Sequence, residues 1–107
     1  MLDAAKDYDQ ASEAIAVNSS CAQSIQVHWG AGAKDGEVVV ECADSKGFSG
    51  TWAELKRIPC AGSNRLDLYE HNGPCIFIRT RITKGLSGGT VTTKLHGDGW
   101  MSALRFH

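Results

Sequence analysis

The side chains that could do chemistry in this sequence are histidines, cysteines and a few neighbouring carboxylates, and their spacing argues against a reaction centre. His28, His71, His96 and His107 are scattered, and no two stand at the i, i+2 spacing that would put both on one face of a strand as metal ligands. They are expected to be solvated. Cys21, Cys42, Cys60 and Cys75 include no C-x₂₋₄-C pair of the kind that bends around zinc. A disulfide framework is conceivable, but a cytoplasmic origin favours free thiols, several of them acting as small core residues. No serine lies in G-x-S-x-G, no cysteine lies in a protease context, and the glycine-rich stretch 30–36 lacks the G-K-[ST] ending of a phosphate loop. Asp67 with Glu70, or Glu37 with Glu41, could form an acid/base pair, but each is more simply a solvent-facing strand residue. Asp3, Asp7, Asp9 and Glu13 lack the central glycine of a calcium loop and read as an acidic, solvated arm. The expectation is therefore no enzyme, no cofactor and no metal.

Three tryptophans bear on binding. A flat indole can cover a sugar ring, but Trp29 is in phase with the apolar residues of its segment and Trp52 opens one, so both are expected inside. Trp100 follows Gly97-Asp98-Gly99 and is the candidate for an exposed contact residue.

The segments that would position these residues alternate with period two. In residues 24–29, Ile25, Val27 and Trp29 share one face. In residues 37–42, Val38, Val40 and Cys42 do, and between these two segments Asp35-Gly36 suits a tight hairpin turn. Residues 51–58 run to Pro59, and residues 65–70 place Leu66 and Leu68 on one face. Residues 75–82 are the most hydrophobic and belong in the centre of a sheet, with Ile76, Ile78 and Ile82 on one side and Arg79 and Arg81 on a wet one. Residues 90–96 set Val91 and Leu95 inward, and residues 100–107 supply a last strand or arm. Residues 1–12 read as an extended arm, with a helix over 4–11 as the alternative, and residues 13–17 as an edge strand. The sum is one all-β domain over residues 1–107, an antiparallel β-sandwich or jelly roll of seven to eight short strands with an extended N-terminal arm.

The totals agree. The chain has 107 residues, 12 glycines and 2 prolines, which suits a single domain that turns often. Eleven basic and twelve acidic residues leave a net charge of −1, too little to hold nucleic acid by phosphate neutralisation or to dock on an anionic membrane. No apolar run reaches signal-peptide or membrane-span length, so a soluble protein made in the cytoplasm is expected.

Met1-Leu2-Asp3-Ala4 with Ser12-Glu13-Ala14-Ile15-Ala16-Val17, then Gly50-Thr51-Trp52, the strand Ile78-Arg79-Thr80-Arg81-Ile82, and Gly88-Gly89-Thr90-Val91-Thr92-Thr93-Lys94-Leu95 resemble, in that order, small structural proteins of tailed bacteriophages. The nearest of these are jelly-roll capsid decoration, or cement, proteins. The four cysteines and the tail Trp-Met-Ser-Ala-Leu-Arg-Phe-His have no counterpart in that pattern. The resemblance implies a virion protein on the capsid surface, made in the host cytoplasm, a homo-oligomer (dimer or trimer) whose partner is the major capsid protein. Contact would run through an arm that adds a strand to an exposed sheet edge, with Leu2, Asp3 and Tyr8 on the arm and Trp100 beyond it as contact residues. An arm of that kind could be deleted over residues 2–12 without unfolding the sandwich. The competing expectation is a carbohydrate- or receptor-binding module of a phage tail or spike, which needs exposed rings in a row or a groove.

Overall fold

The computed structural model describes residues 1–17, 23–44, 49–71 and 77–97. Seven strands form: β1 (Ile15–Ala16), β2 (Gln23–Trp29), β3 (Glu37–Ala43), β4 (Ala53–Pro59), β5 (Arg65–His71), β6 (Phe77–Lys84) and β7 (Val91–Gly97). They make two sheets, ordered β1-β6-β3-β4 and β5-β2-β7, in which every neighbour is antiparallel. Among the described residues there is no helix, so 4–11 is extended or turning.

The alternation of the sequence explains the layers. Ile25, Val27 and Trp29 from β2, Val38 and Val40 from β3, Ile78 and Ile82 from β6 and Val91 from β7 are all fully buried between the sheets. Each such side chain contributes roughly 1.5–3 kcal/mol on leaving water, so this cluster fixes which face of each strand turns inward. Trp29 is the largest of them, and its indole N–H donates to Asp67 Oδ2 at 2.9 Å, which satisfies the one polar atom it carries into the core.

The first twelve residues form an arm without helix, as the sequence suggests, but the arm turns at residues 7–9 and does not project. Leu2 and Ala5 are buried, and their backbone pairs with β7: Val91 N–H donates to Ala5 O at 2.7 Å, and Thr93 N–H to Leu2 O at 2.8 Å. The chain then crosses to the other sheet. Asp9 N–H donates to Ile82 O at 2.8 Å, Ile82 N–H to Gln10 O at 2.9 Å, and Ser12 N–H to Thr80 O at 2.8 Å, all on β6, whose edge β1 goes on to line. The sheets therefore read arm-β7-β2-β5 and β1-β6-β3-β4. Chain order alternates between them at every step except the β3–β4 hairpin, and that winding is a jelly roll with the arm as its eighth strand.

Two expectations are corrected by this winding. Asp35-Gly36 does not close a hairpin, because β2 and β3 lie in different sheets; Asp35 instead takes φ 63° in a crossover loop. That loop packs on the β6–β7 connection, where Lys34 N–H donates to Gly88 O at 3.1 Å and Ser87 N–H to Lys34 O at 2.9 Å. Gly89, at φ 69°, is required there, since a Cβ would lie 2.4 Å from Ala33 N. The second correction concerns β5. Leu66 and Leu68 share a face, as read, and it is the outer one, 53% and 62% exposed, whereas Asp67, expected to face solvent, turns inward. The register sets Tyr69 against Ile25 and Asp67 against Val27, so the odd residues of β5 turn inward, and Asp67 is tolerated because Trp29 donates to it.

Candidate functional site

The corner where the arm crosses between sheets holds the most exposed large apolar side chain among the described residues. Tyr8 is 68% exposed, and the only others of that kind are Leu66 and Leu68. The turn beneath it is tied from several sides. Gln10 Oε1 accepts from the N–H groups of both Lys6 and Asp7, at 3.2 and 3.1 Å, while Gln10 N–H donates to Asp7 O at 3.2 Å. Asp9 takes φ 65°, a left-handed conformation that an aspartate tolerates better than most residues. Its Oδ1 accepts from Arg81 Nη1 at 3.0 Å. Leu86 N–H donates to Lys6 O at 2.8 Å, and Gly85 lets the turn sit close, since a Cβ there would lie 3.3 Å from Tyr8 N. A large amphipathic ring is thus held out on a backbone already fixed in place. Anchors of this type contribute most at protein interfaces, because little order remains to be lost on docking.

The arm residues separate accordingly. Tyr8 and Asp3 are exposed, whereas Leu2 is 4% exposed and belongs to the core, so it offers nothing to a partner. Trp100 lies outside the described residues.

Behind the Tyr8 turn, the outer face of the four-stranded sheet is covered by ion pairs. Glu41 is buried and accepts from Arg79 Nε at 2.9 Å and from Arg81 Nη2 at 3.2 Å. Arg79 in turn lies over the ring of Trp52, its Cζ 4.2 Å from the centroid. Glu37, also buried, accepts from Thr83 Oγ1 at 2.7 Å and from Arg57 Nη1, and Arg57 reaches on to Glu54. Burial alone would raise the Glu37 carboxyl. The hydrogen bonds from Thr83 and Arg57, with the charges of Arg57 and Lys84, outweigh it and hold the group below the ordinary carboxylate range. Glu37 and Glu41 are therefore not the solvent-facing residues the sequence suggests. They are structural anions, each committed to guanidinium partners, and Val39 lies buried on the same outer face.

The remaining candidates stay apart. Trp29 and Trp52 are buried, as expected. His28 and His96 are exposed on the three-stranded sheet, but His71 is buried at the end of β5, beside Tyr69 Oη at 3.5 Å, and is not solvated. Cys42 and Cys60 are free thiols; Cys21, Cys75 and His107 lie outside the described residues. Among the described residues no group of three His, Cys, Asp or Glu side chains could hold a metal ion. The outer face of the three-stranded sheet has a shallow dish of about 180 Å³ lined by Gln26, His28, Leu66, Thr92 and Lys94. No Trp, Tyr or Phe ring lines it.

No signal in the sequence singled out the Gln10 side chain, which caps the turn and makes Tyr8 an anchor. A glutamine bonding backward to two amides leaves no periodic trace. The chain matches no protein-family model, no curated protein and no solved structure.

Proposed function

We propose that this chain is a virion structural protein that binds the outside of a phage capsid and stabilises it as a decoration protein, with the Tyr8 turn as its anchor on the major capsid protein. The observation that carries the reading is Tyr8 itself, an exposed ring on a turn pinned by Gln10, Asp9 and the β6–β7 connection. The resemblance in sequence to phage structural proteins points the same way. The alternative of a sugar-binding module loses support, because Trp29 and Trp52 supply no row of open rings.

The arm's part in this reading changes. Its backbone is paired with β7 and β6, so it does not swing out of the fold to join a neighbour's sheet. What it offers is the side chain at its corner. Co-sedimentation with capsids assembled from the phage's own major capsid protein tests the reading. The wild-type chain should pellet with the capsids, and Tyr8→Ala should weaken binding by about 2 kcal/mol, roughly thirtyfold. A folded wild-type chain that stays in the supernatant would rule out the decoration role; full binding by Tyr8→Ala would rule out the anchor.

A further inference from the structure

A jelly roll has four sheet edges, and here three are protected. The arm edge is interrupted by Ala4, at φ 46°. The β1 edge is two residues long. The β4 edge carries Glu54, Lys56 and Arg57, has a register shift at Val40/Glu41 and ends on Pro59. Charges, proline, bulges and shortness are the usual devices that keep an edge from pairing.

The β5 edge is neither short, bulged nor closed by proline, although it carries Arg65, Asp67 and Glu70. It runs seven residues in unbroken register with β2, contains no proline or lysine, and no described strand pairs its other side. Leu66 and Leu68 stand half or more exposed beside it, and an open groove of about 280 Å³ runs along it toward β4, lined in part by Arg65, Asp67 and Leu68.

We infer that β5 pairs antiparallel with β5 of a second copy, joining the two arm-β7-β2-β5 sheets into one across a two-fold axis at Leu68. The strand is complementary to itself in this register. Even residues must oppose even ones for the outer faces to remain continuous. With Leu68 on the axis, Leu68 meets its own mate and Leu66 meets Glu70. On the inner face Asp67 meets Tyr69 and Arg65 meets His71, so no like charges are opposed. The four leucines of the pair form one apolar stripe. A shift of two residues would instead set Asp67 against Asp67. The dimer needs no shell, so it stands or falls separately from the decoration role.

The experiment is sedimentation equilibrium on the full chain, with circular dichroism to check the fold. The wild type should be a dimer. Leu68→Lys places two ammonium groups together on the axis and should weaken the dimer about tenfold or more. Leu66→Lys places its ammonium opposite Glu70 and should leave the dimer within about threefold of wild type. Both side chains are exposed in the monomer, so neither variant should unfold. A wild type that stays monomeric would overturn the inference, even if β5 amides became protected on capsids, for that would mean pairing with a shell strand. A dimer indifferent to Leu68→Lys, or one disrupted equally by both variants, would overturn it too.

Discussion

At the scale of single residues, the core is tied by a polar chain that period-two patterning does not reveal. Thr80 in β6 and Thr93 in β7 are buried, and their hydroxyls meet at 2.7 Å across the gap between the sheets. Leu2 N–H donates to Thr93 Oγ1 at 2.9 Å. One hydroxyl pair therefore joins the arm to both layers. Replacing Thr93 by Val keeps the volume but leaves Leu2 N–H and the Thr80 hydroxyl without partners, so urea denaturation should show a loss of about 1–3 kcal/mol. Thr80→Val leaves the Leu2–Thr93 bond in place and should cost less. Equal losses would mean that the hydroxyls do not act as a chain.

Glu37 makes a pH-dependent contribution at the same scale. Its carboxyl is held below the ordinary value of 4.5 when folded, so folding favours the ionised form. That stabilisation is complete above pH 4.5 and is lost as pH falls through the lower, folded-state value. Glu37→Gln should therefore be less stable than wild type at pH 7, with the gap narrowing in denaturation curves taken near pH 3. A gap that held constant down to pH 3 would show that the Thr83 and Arg57 contacts do not favour the carboxylate.

At the scale of elements, what could be read from the sequence followed how local the determining contact was. The inward faces of β2, β3, β6 and β7 were legible because Ile25, Val27, Trp29, Val38, Val40, Ile78, Ile82 and Val91 report burial by their own character. Strand partners were not, because they depend on which distant strand completes each apolar face. Asp35-Gly36 has the composition of a hairpin turn, yet the burial of Val27 against β7 and of Val40 between β4 and β6 sends β2 and β3 to opposite layers. β5 shows this most plainly. Its leucines share a face as read, but register with β2 turns that face to water, and an aspartate bound to Trp29 takes the inner position. Of the candidate contact residues, Tyr8 and Asp3 were legible as exposed, while the burial of Leu2 depended on β7, some ninety residues away. The arm also proves to be a structural element. Removing residues 2–12 takes Leu2 and Ala5 from the core, unpairs edges of β6 and β7 and strips Thr93 of its Leu2 partner. The loss should be about 5 kcal/mol or more, a large part of the 5–15 kcal/mol typical of a domain. Thermal melting should find the truncated chain largely unfolded; a cooperative melt near wild type would contradict the arm's place in the fold.

At the scale of the whole molecule, the interior is closed by the arm on one side and lies between β4 and β5 on the other. The closed side presents Tyr8, and the open side presents the β5 edge. On the proposed function, a dimer joined through β5 would carry two Tyr8 anchors, one at the arm corner of each copy, and could bridge two neighbouring capsid subunits. Two modest contacts linked by a rigid body bind more tightly than either alone, and both must be broken for the subunits to separate. Heating capsids of the phage's own major capsid protein, with and without this chain, tests that consequence most directly. The wild-type chain is expected to raise the temperature at which the shells come apart, and Tyr8→Ala to leave it near that of bare shells. An unchanged disruption temperature with saturating, folded wild-type protein would contradict the stabilising role.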